Sequence, residues 1–280
     1  MPPPISSGFL HAAGKVGHGR AADARVVASV PGGALASAIV NKPESIRRWL
    51  SPWRRRLCEA VGIRRYSRLA LDGLDAKLEQ HLDFDGGFFV EAGANDGLTQ
   101  SNTYYFERWR GWRGILIEGI PALAAKCRRN RPRAIVVPVA LVSTGSADGL
   151  ATMHYAGLMS AADGAWADPR QLEVHIRRGL AAQNLAETYR VRVPARTLTA
   201  VLDEAAPGRE IDLLSLDVEG MEADVLRGLD FARYLPRFIC IEARNRPAIE
   251  AVLSGHYRLL AVLADQGVRQ DLLYGRAGSK

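Results

Sequence analysis

The sequence predicts an α/β fold: a doubly wound, seven-stranded sheet that ends in an antiparallel hairpin. Two observations carry this expectation. After residue 87, short apolar runs alternate with segments whose apolar residues recur every three or four positions, as in β-α units on a parallel sheet. Towards the carboxyl end the alternation stops. There two apolar runs, Tyr257–Leu263 and Gly267–Tyr274, are joined only by the turn Ala264-Asp265-Gln266, which reads as a hairpin.

Residues 1–42 are rich in Ala, Gly, Pro and Ser without periodicity and read as a flexible leader. Residues 43–84 read as a basic helical extension. Within it Ile46, Trp49, Leu50, Trp53, Leu57, Ala60 and Val61 keep helical spacing, with arginines between them. Ser51-Pro52 offers an N-cap followed by a first-turn proline, so the stretch is one kinked helix or two short ones. A second helical pattern, Leu69 to Leu82, stops at the turn Asp85-Gly86-Gly87. Residues 85–280 form the sheet domain. Its parallel strands are expected at Phe88–Ala92, Gly114–Ile117, Ala134–Val139, Asp212–Leu216 and Phe238–Glu242. Helices are expected at Asn102–Trp109, Pro121–Arg129, Leu198–Glu204, Met221–Leu229 and Pro247–Leu253. Between Thr144 and Val193 the order breaks down into an insertion with Met, His, Trp and Gly, and long connections of this kind usually carry substrate contacts.

Composition narrows the class. With 48% hydrophobic and 24% charged residues, the chain is neither disordered, collagen-like nor a disulfide mini-scaffold. The apolar run Ile135–Val142 is interrupted by Pro138 and is far short of a bilayer span, and the amino terminus lacks the pattern of a secretory signal. Cys58, Cys127 and Cys240 are scattered, which suits a reduced compartment and argues against structural zinc. A cytoplasmic protein is expected. The net charge of +7 is local: residues 1–70 hold twelve Lys and Arg against three Asp and Glu, while the other residues hold 25 against 27. A nucleic-acid enzyme would carry basic residues around its groove as well, so no nucleic-acid partner is expected.

The first strand runs into Glu91-Ala-Gly93-Ala-Asn95-Asp96-Gly97. Ligands of open α/β sheets bind where strands end and strand order reverses, and Gly93 would let backbone approach such a ligand without a Cβ between. The dinucleotide fingerprint is absent because position 95 is Asn, and the acidic start disfavours phosphate. A nicotinamide dehydrogenase is therefore disfavoured. A ligand with an amino group and no phosphate fits, and S-adenosylmethionine has both features. Glu118, ending the second strand, can accept two hydrogen bonds from vicinal ribose hydroxyls.

These residues resemble the FkbM-type S-adenosylmethionine-dependent methyltransferases. The resemblance runs over about residues 65–275. It is carried by Phe89 to Thr103 with Gly114–Glu118, by Val137-Pro-Val-Ala140-Leu141 before Gly145, and most specifically by Asp217-Val-Glu219-Gly-Met-Glu222. It implies the class I methyltransferase (Rossmann-like) sheet and an O-methyltransferase acting on hydroxyls of small molecules or saccharides. It implies cofactor contacts from Glu91, Gly93, Asn95, Gly97, Glu118, Ala140 and Asp217, with Ala140 beside the adenine. Two positions depart from the family: Gly119-Ile120 precede Pro121 where a Pro-Asn pair is common, and Glu91 replaces the usual Asp.

For catalysis Asp217 and Glu219 are the first candidates. Asp217 is either a general base or a member, with Glu219 or Glu242, of a Mg²⁺ site; alternatively it only positions the cofactor while Glu219 and Glu222 cap the next helix. Mg²⁺ is not expected. His154 and His175 lie in the insertion as candidate bases or as plain loop residues. Trp166, Met153 and Met159 line an acceptor pocket or pack a lid. Arg244 and Arg246 bind an acidic substrate or are solvated. The basic helix 46–61 either touches an anionic membrane weakly or packs its apolar stripe on the domain. A catalytically inactive module that binds a partner or saccharide is the competing functional reading. The sequence leaves oligomeric state open.

Overall fold

The structure is a computed structural model and describes residues 53–143 and 149–278. The expected leader, residues 1–42, and the start of the basic extension lie outside the described residues. The chain enters through helix α1 (residues 53–60) and the short helix α2 (Leu74–Glu79). The Leu69–Leu82 pattern yields less helix than expected, because Asp72 and Gly73 take positive φ values of 51° and 66° and break it before α2.

Five β-α units follow: β1 (Phe88–Ala92), α3 (Tyr104–Trp109), β2 (Arg113–Ile117), α4 (Pro121–Asn130) and β3 (Ile135–Val137). After an excursion they resume as α6 (Leu198–Ala205), β8 (Leu213–Leu216), α7 (Glu222–Arg227), β9 (Phe238–Ala243) and α8 (Arg246–Leu253), closed by β10 (Tyr257–Asp265) and β11 (Gln270–Arg276). The seven strands are ordered β10-β11-β9-β8-β1-β2-β3. All pairs from β3 to β9 are parallel, and β11 runs antiparallel to both β9 and β10. This is the doubly wound sheet with a terminal hairpin that the pattern predicts. The hairpin turn falls at residues 266–269, two residues later than expected, because β10 continues to Asp265.

Side chains of alternate strand residues point to opposite faces, so both faces must be covered. Phe88, Val90 and Ala92 of β1 join Leu214 and Leu216 of β8 in a core capped by Val201, Leu202, Val225, Leu226, Ile249 and Leu253 from α6, α7 and α8. Phe89 and Leu213 point the other way, into a core built with Leu78, Phe106, Trp112 and Cys127. The winding reverses at β1, since the chain leaves it for β2 and β3 on one side and later adds β8 on the other. A crevice between the carboxyl ends of β1 and β8 follows from that reversal.

Two expectations need correction. The run Ala134–Val139 is not one strand. Pro138 has no N–H to continue a ladder, and beyond it β4 (Ala140–Leu141) pairs with β7 (Arg190–Arg196) of a second sheet. That sheet has the order β4-β7-β5-β6, with β5 (Leu150–His154) and β6 (Ala161–Ala162). The supposedly irregular insertion also holds α5 (Pro169–Gln183), at 15 residues the longest helix that the described residues form. Asp168 caps it by accepting from Arg170 N, Pro169 fills its first turn, and Asn184 ends it at φ 52°. No helix among the described residues is long and apolar enough to cross a membrane.

The second correction concerns α1. Trp53, Leu57 and Val61 are not packed on the domain but exposed, at 60%, 67% and 73%. The inward side of α1 is polar: buried Glu59 accepts from Ser67 Oγ at 2.8 Å and from Tyr104 OH at 2.9 Å.

Candidate functional site

A cavity of about 450 Å³ opens at the carboxyl edge of the sheet, in the size range of small-ligand sites. Its floor is the turn after β1, the ends of β2 and β8, and β4. Its roof comes from the insertion and the tip of the terminal hairpin.

The turn after β1 explains why position 93 is glycine. Gly93 has φ +81°, and a Cβ there would stand 1.7 Å from the Asp217 carbonyl oxygen. Only glycine lets β1 and β8 end this close together and still open on to the cavity. Its N–H and that of Ala94 both donate to the Ile117 carbonyl, which ties the turn to β2. Asn95, at φ 50°, then donates its N–H to Glu118 Oε2 at 2.8 Å. Glu118 Oε1 accepts from Ile120 N at 2.7 Å. The carboxylate is thus fixed by two backbone amides while each oxygen keeps a lone pair for a ligand. Burial pushes its pKa up to about 7.

Glu91 lines the cavity, yet most of its carboxylate is committed to the protein. Oε2 accepts from Ser101 Oγ at 2.9 Å and Thr103 Oγ1 at 2.5 Å, and Oε1 from Asn102 N at 2.9 Å. Of roughly four lone-pair directions, one on Oε1 stays open for an ammonium group. Behind it Arg131, fully buried, donates to Glu107 at 2.8 Å, to the Gly97 carbonyl at 2.9 Å and to Ser101 Oγ at 3.1 Å. Glu91 therefore shapes the 97–103 loop first. Sequence reasoning missed Arg131, which sits in no motif.

Gly97 is misplaced in the sequence reading. It is buried away from the cavity, where an added Cβ would press on Arg131 Cγ at 3.0 Å and Cys127 Cα at 3.3 Å. Its lack of a side chain lets α4 pack on the loop. Ala140 does line the cavity, from β4.

On the other side Asp217 follows β8. Its side chain is exposed where it lines the cavity. Desolvation by the walls of the crevice, then Glu242, Glu219 and Glu222, push its pKa well up, while Arg244 opposes them. Glu219, at φ 52°, also lines the cavity and is bridged by Arg244 at 2.5 Å. Burial outweighs Arg244 and raises its pKa to about 7. Arg244 reaches Glu242 at 2.9 Å, and Arg269 pairs with Glu242 too. Guanidinium groups are thus the cations beside these carboxylates. Among the described residues no three His, Cys, Asp or Glu side chains are grouped to hold a metal. Glu222 lies outside the lining, and its Oε1 accepts from Gly220 N at 2.9 Å and Val218 N at 3.2 Å, the capping role. Arg246 pairs with Glu250 at 2.7 Å, away from the cavity.

The histidines do not reach the cavity. His154, on β5, is held by Asp163, so its candidacy as general base fails on position. His175 Nε2 donates to the Met159 carbonyl at 3.1 Å, and its ring stacks on Trp166 with centroids 4.4 Å apart. Burial, then Arg244, lowers its pKa to about 4. Both it and Trp166 pack the insertion, whereas Met153 and Met159 do line the cavity. Leu158, Val268 and Arg269 join the lining from connections that carry no periodic signal, and Gln183 from the end of α5.

A pH dependence follows from the two glutamates near 7. The folded chain holds these protons more tightly than the unfolded chain, so their stabilising effect is full at low pH and fades as pH rises through their folded values. His175 has the opposite sign, but its effect is complete above its ordinary value, about 6.5. Without ligand, the thermal midpoint is expected to fall between about pH 6.5 and 8, and Glu118→Gln to flatten the slope. A midpoint that climbs over that range would contradict the placement of both groups.

A family model described as the Methyltransferase FkbM domain matches residues 91–269. A protein named Methyltransferase 1 from Beauveria bassiana (strain ARSEF 2860) is 30% identical over 151 residues, which make up 52% of this chain and 59% of that protein. The chain thus matches less than two thirds of that relative's length. Among solved structures, the human methyltransferase 10 domain containing protein aligns with a TM-score of 0.44 and 8% identity, over 86% of this chain and 100% of that one. A TehB-like SAM-dependent methyltransferase from Corynebacterium glutamicum ATCC 13032 Kitasato aligns with a TM-score of 0.39 and 12% identity, over 84% and 100% of the two chains.

Proposed function

Because the chain belongs to the FkbM methyltransferase domain family, we propose that it moves a methyl group from S-adenosylmethionine to a hydroxyl oxygen of a saccharide or other small molecule. The observation that carries this reading is one cavity with two chemically different sides. On one side, Gly93 leaves room for close backbone approach, and Glu118 offers fixed acceptor oxygens suited to ribose hydroxyls. The open lone pair of Glu91 suits the amino group, and Ala140 gives a small apolar wall. These residues fit the cofactor. On the other side, Asp217 offers a carboxylate where an acceptor would lie.

When bound, the cofactor's sulfonium supplies an electrophilic methyl, whose bond to sulfur breaks as the bond to the acceptor oxygen forms. The protein's own part is alignment and proton handling. Holding the acceptor oxygen in line converts an encounter between two solutes into a reaction within one complex. Asp217 takes the hydroxyl proton on its carboxylate, and its raised pKa makes it a stronger base than a surface aspartate. Arg244 and Arg269 hold Glu219 and Glu242 as ion pairs, so Asp217 carries the free carboxylate. No metal is required for this arrangement.

The deciding experiment titrates the full chain with S-adenosylmethionine by calorimetry, then incubates it with extract and methyl-labelled cofactor. Saturable binding and a labelled small molecule or saccharide are expected. Absence of binding would overturn the reading, and binding without any labelled product would favour the inactive binding module.

A further inference from the structure

We propose that the chain docks on an anionic lipid bilayer through the outward face of α1. Helix α1 has its polarity inside out. Its inward side carries Glu59, buried and bonded to Ser67 and Tyr104, with Arg108 at 3.5 Å and Arg55 stacked 5.0 Å from the Tyr104 ring. Its outward side carries Trp53 and Leu57, one turn apart, continued by Val61 just past the helix. A helix stabilised only by its own domain turns such residues inward. Here an ion and hydrogen-bond network fixes the opposite rotation, so the apolar stripe is left without a partner among the described residues.

The flanks identify the occupant. At 100° per residue, Arg54 and Arg56 bracket the stripe on its two sides, and both are exposed. Arg64 and Arg65, just beyond, are exposed as well, next to Ile63 at 43%. An indole and aliphatic side chains between guanidiniums match the boundary between acyl chains and acidic headgroups. A second copy of the chain would press these arginines against their own counterparts. A nucleic acid would satisfy the arginines and leave Leu57 and Val61 in water. The excess of nine positive charges over residues 1–70 favours an acidic surface in the same way.

The test is flotation of the full chain with vesicles of phosphatidylcholine alone or mixed with phosphatidylserine, alongside sedimentation of the protein without lipid. Partition into the mixed vesicles and not the neutral ones is expected. Leu57→Ser should weaken it roughly tenfold. Arg54→Glu and Arg56→Glu should each weaken it at least about fivefold. Leu57 and Arg56 are exposed, so an unchanged thermal midpoint in their variants separates lost docking from lost folding, whereas Arg54 also stacks 4.5 Å from the Tyr66 ring and is read beside them. Equal partition into both vesicles, or none, would overturn the proposal. So would a dimer that Leu57→Ser dissolves, or protection of Trp53 from hydroxyl-radical labelling before lipid is added, which would assign the stripe to another segment of the chain. Neither the experiment nor its outcome depends on the methyl-transfer reading.

Discussion

Replacing Glu118 by alanine is expected to weaken S-adenosylmethionine binding by roughly 3–6 kcal/mol, about 10²–10⁴-fold. The magnitude follows from two charge-assisted hydrogen bonds of about 1.5–3 kcal/mol each from the ribose hydroxyls. The geometry supports that size. Both carboxylate oxygens are already placed by the amides of Asn95 and Ile120, so little freedom is lost when a ligand arrives. The same bonds complicate the variant, because alanine leaves two amide donors without their acceptor. Glu118→Gln is the control, since its amide oxygen can still accept from one of them while the negative charge is gone. Affinity should also rise with pH through about 7, because the hydroxyls donate to the ionised form and burial places the group there. That rise should vanish in Glu118→Gln. Calorimetry showing undiminished affinity in the alanine variant would remove Glu118 from the cofactor site.

The sheet was legible because strands buried on both faces read as short continuous apolar runs with sharp ends. Phe88–Ala92 matches its expected bounds, and β2, β8 and β9 differ from theirs by one residue at one end. What the sequence hid depends on distant partners. The apolar stripe of the first helix is plain, but the side it shows the domain is set by Glu59 meeting Tyr104, 45 residues away. The tie between Glu91 and Arg131 likewise rests on a residue outside the motif that holds Glu91. The insertion did carry signals, Asp168-Pro169 at one end of α5 and Leu172, Ile176 and Leu180 along it. Gly179 interrupts that stripe, and the structure supplies the reason: a Cβ there would lie 2.8 Å from Met159 Cβ. Gly93 and Gly97 look alike in the sequence, and only packing separates the one facing the cavity from the one facing α4.

Asp217→Asn should lower turnover by about 10²–10⁴-fold, the usual contribution of a positioned general base. Asparagine keeps the size of the side chain but cannot take a proton. Cofactor affinity should change much less than turnover, because Glu118 is held by the Asn95 and Ile120 amides and Gly93 meets only the backbone of Asp217, which the substitution leaves in place. Stability should hold or rise, since the substitution removes one of the carboxylates that crowd together with Glu219, Glu222 and Glu242. This separates a proton-handling role from a structural one: a residue needed only for shape would lose affinity and thermal midpoint along with rate. The pH profile gives a second readout. Wild-type activity should fall on the acid side as Asp217 is protonated, and the residual activity of the variant should lack that limb. Activity unaffected by EDTA and unstimulated by Mg²⁺ would agree with the ion pairs that Arg244 and Arg269 make with the neighbouring glutamates. An asparagine variant with full turnover would assign Asp217 to shaping the cavity, and the proton would have to leave by another group.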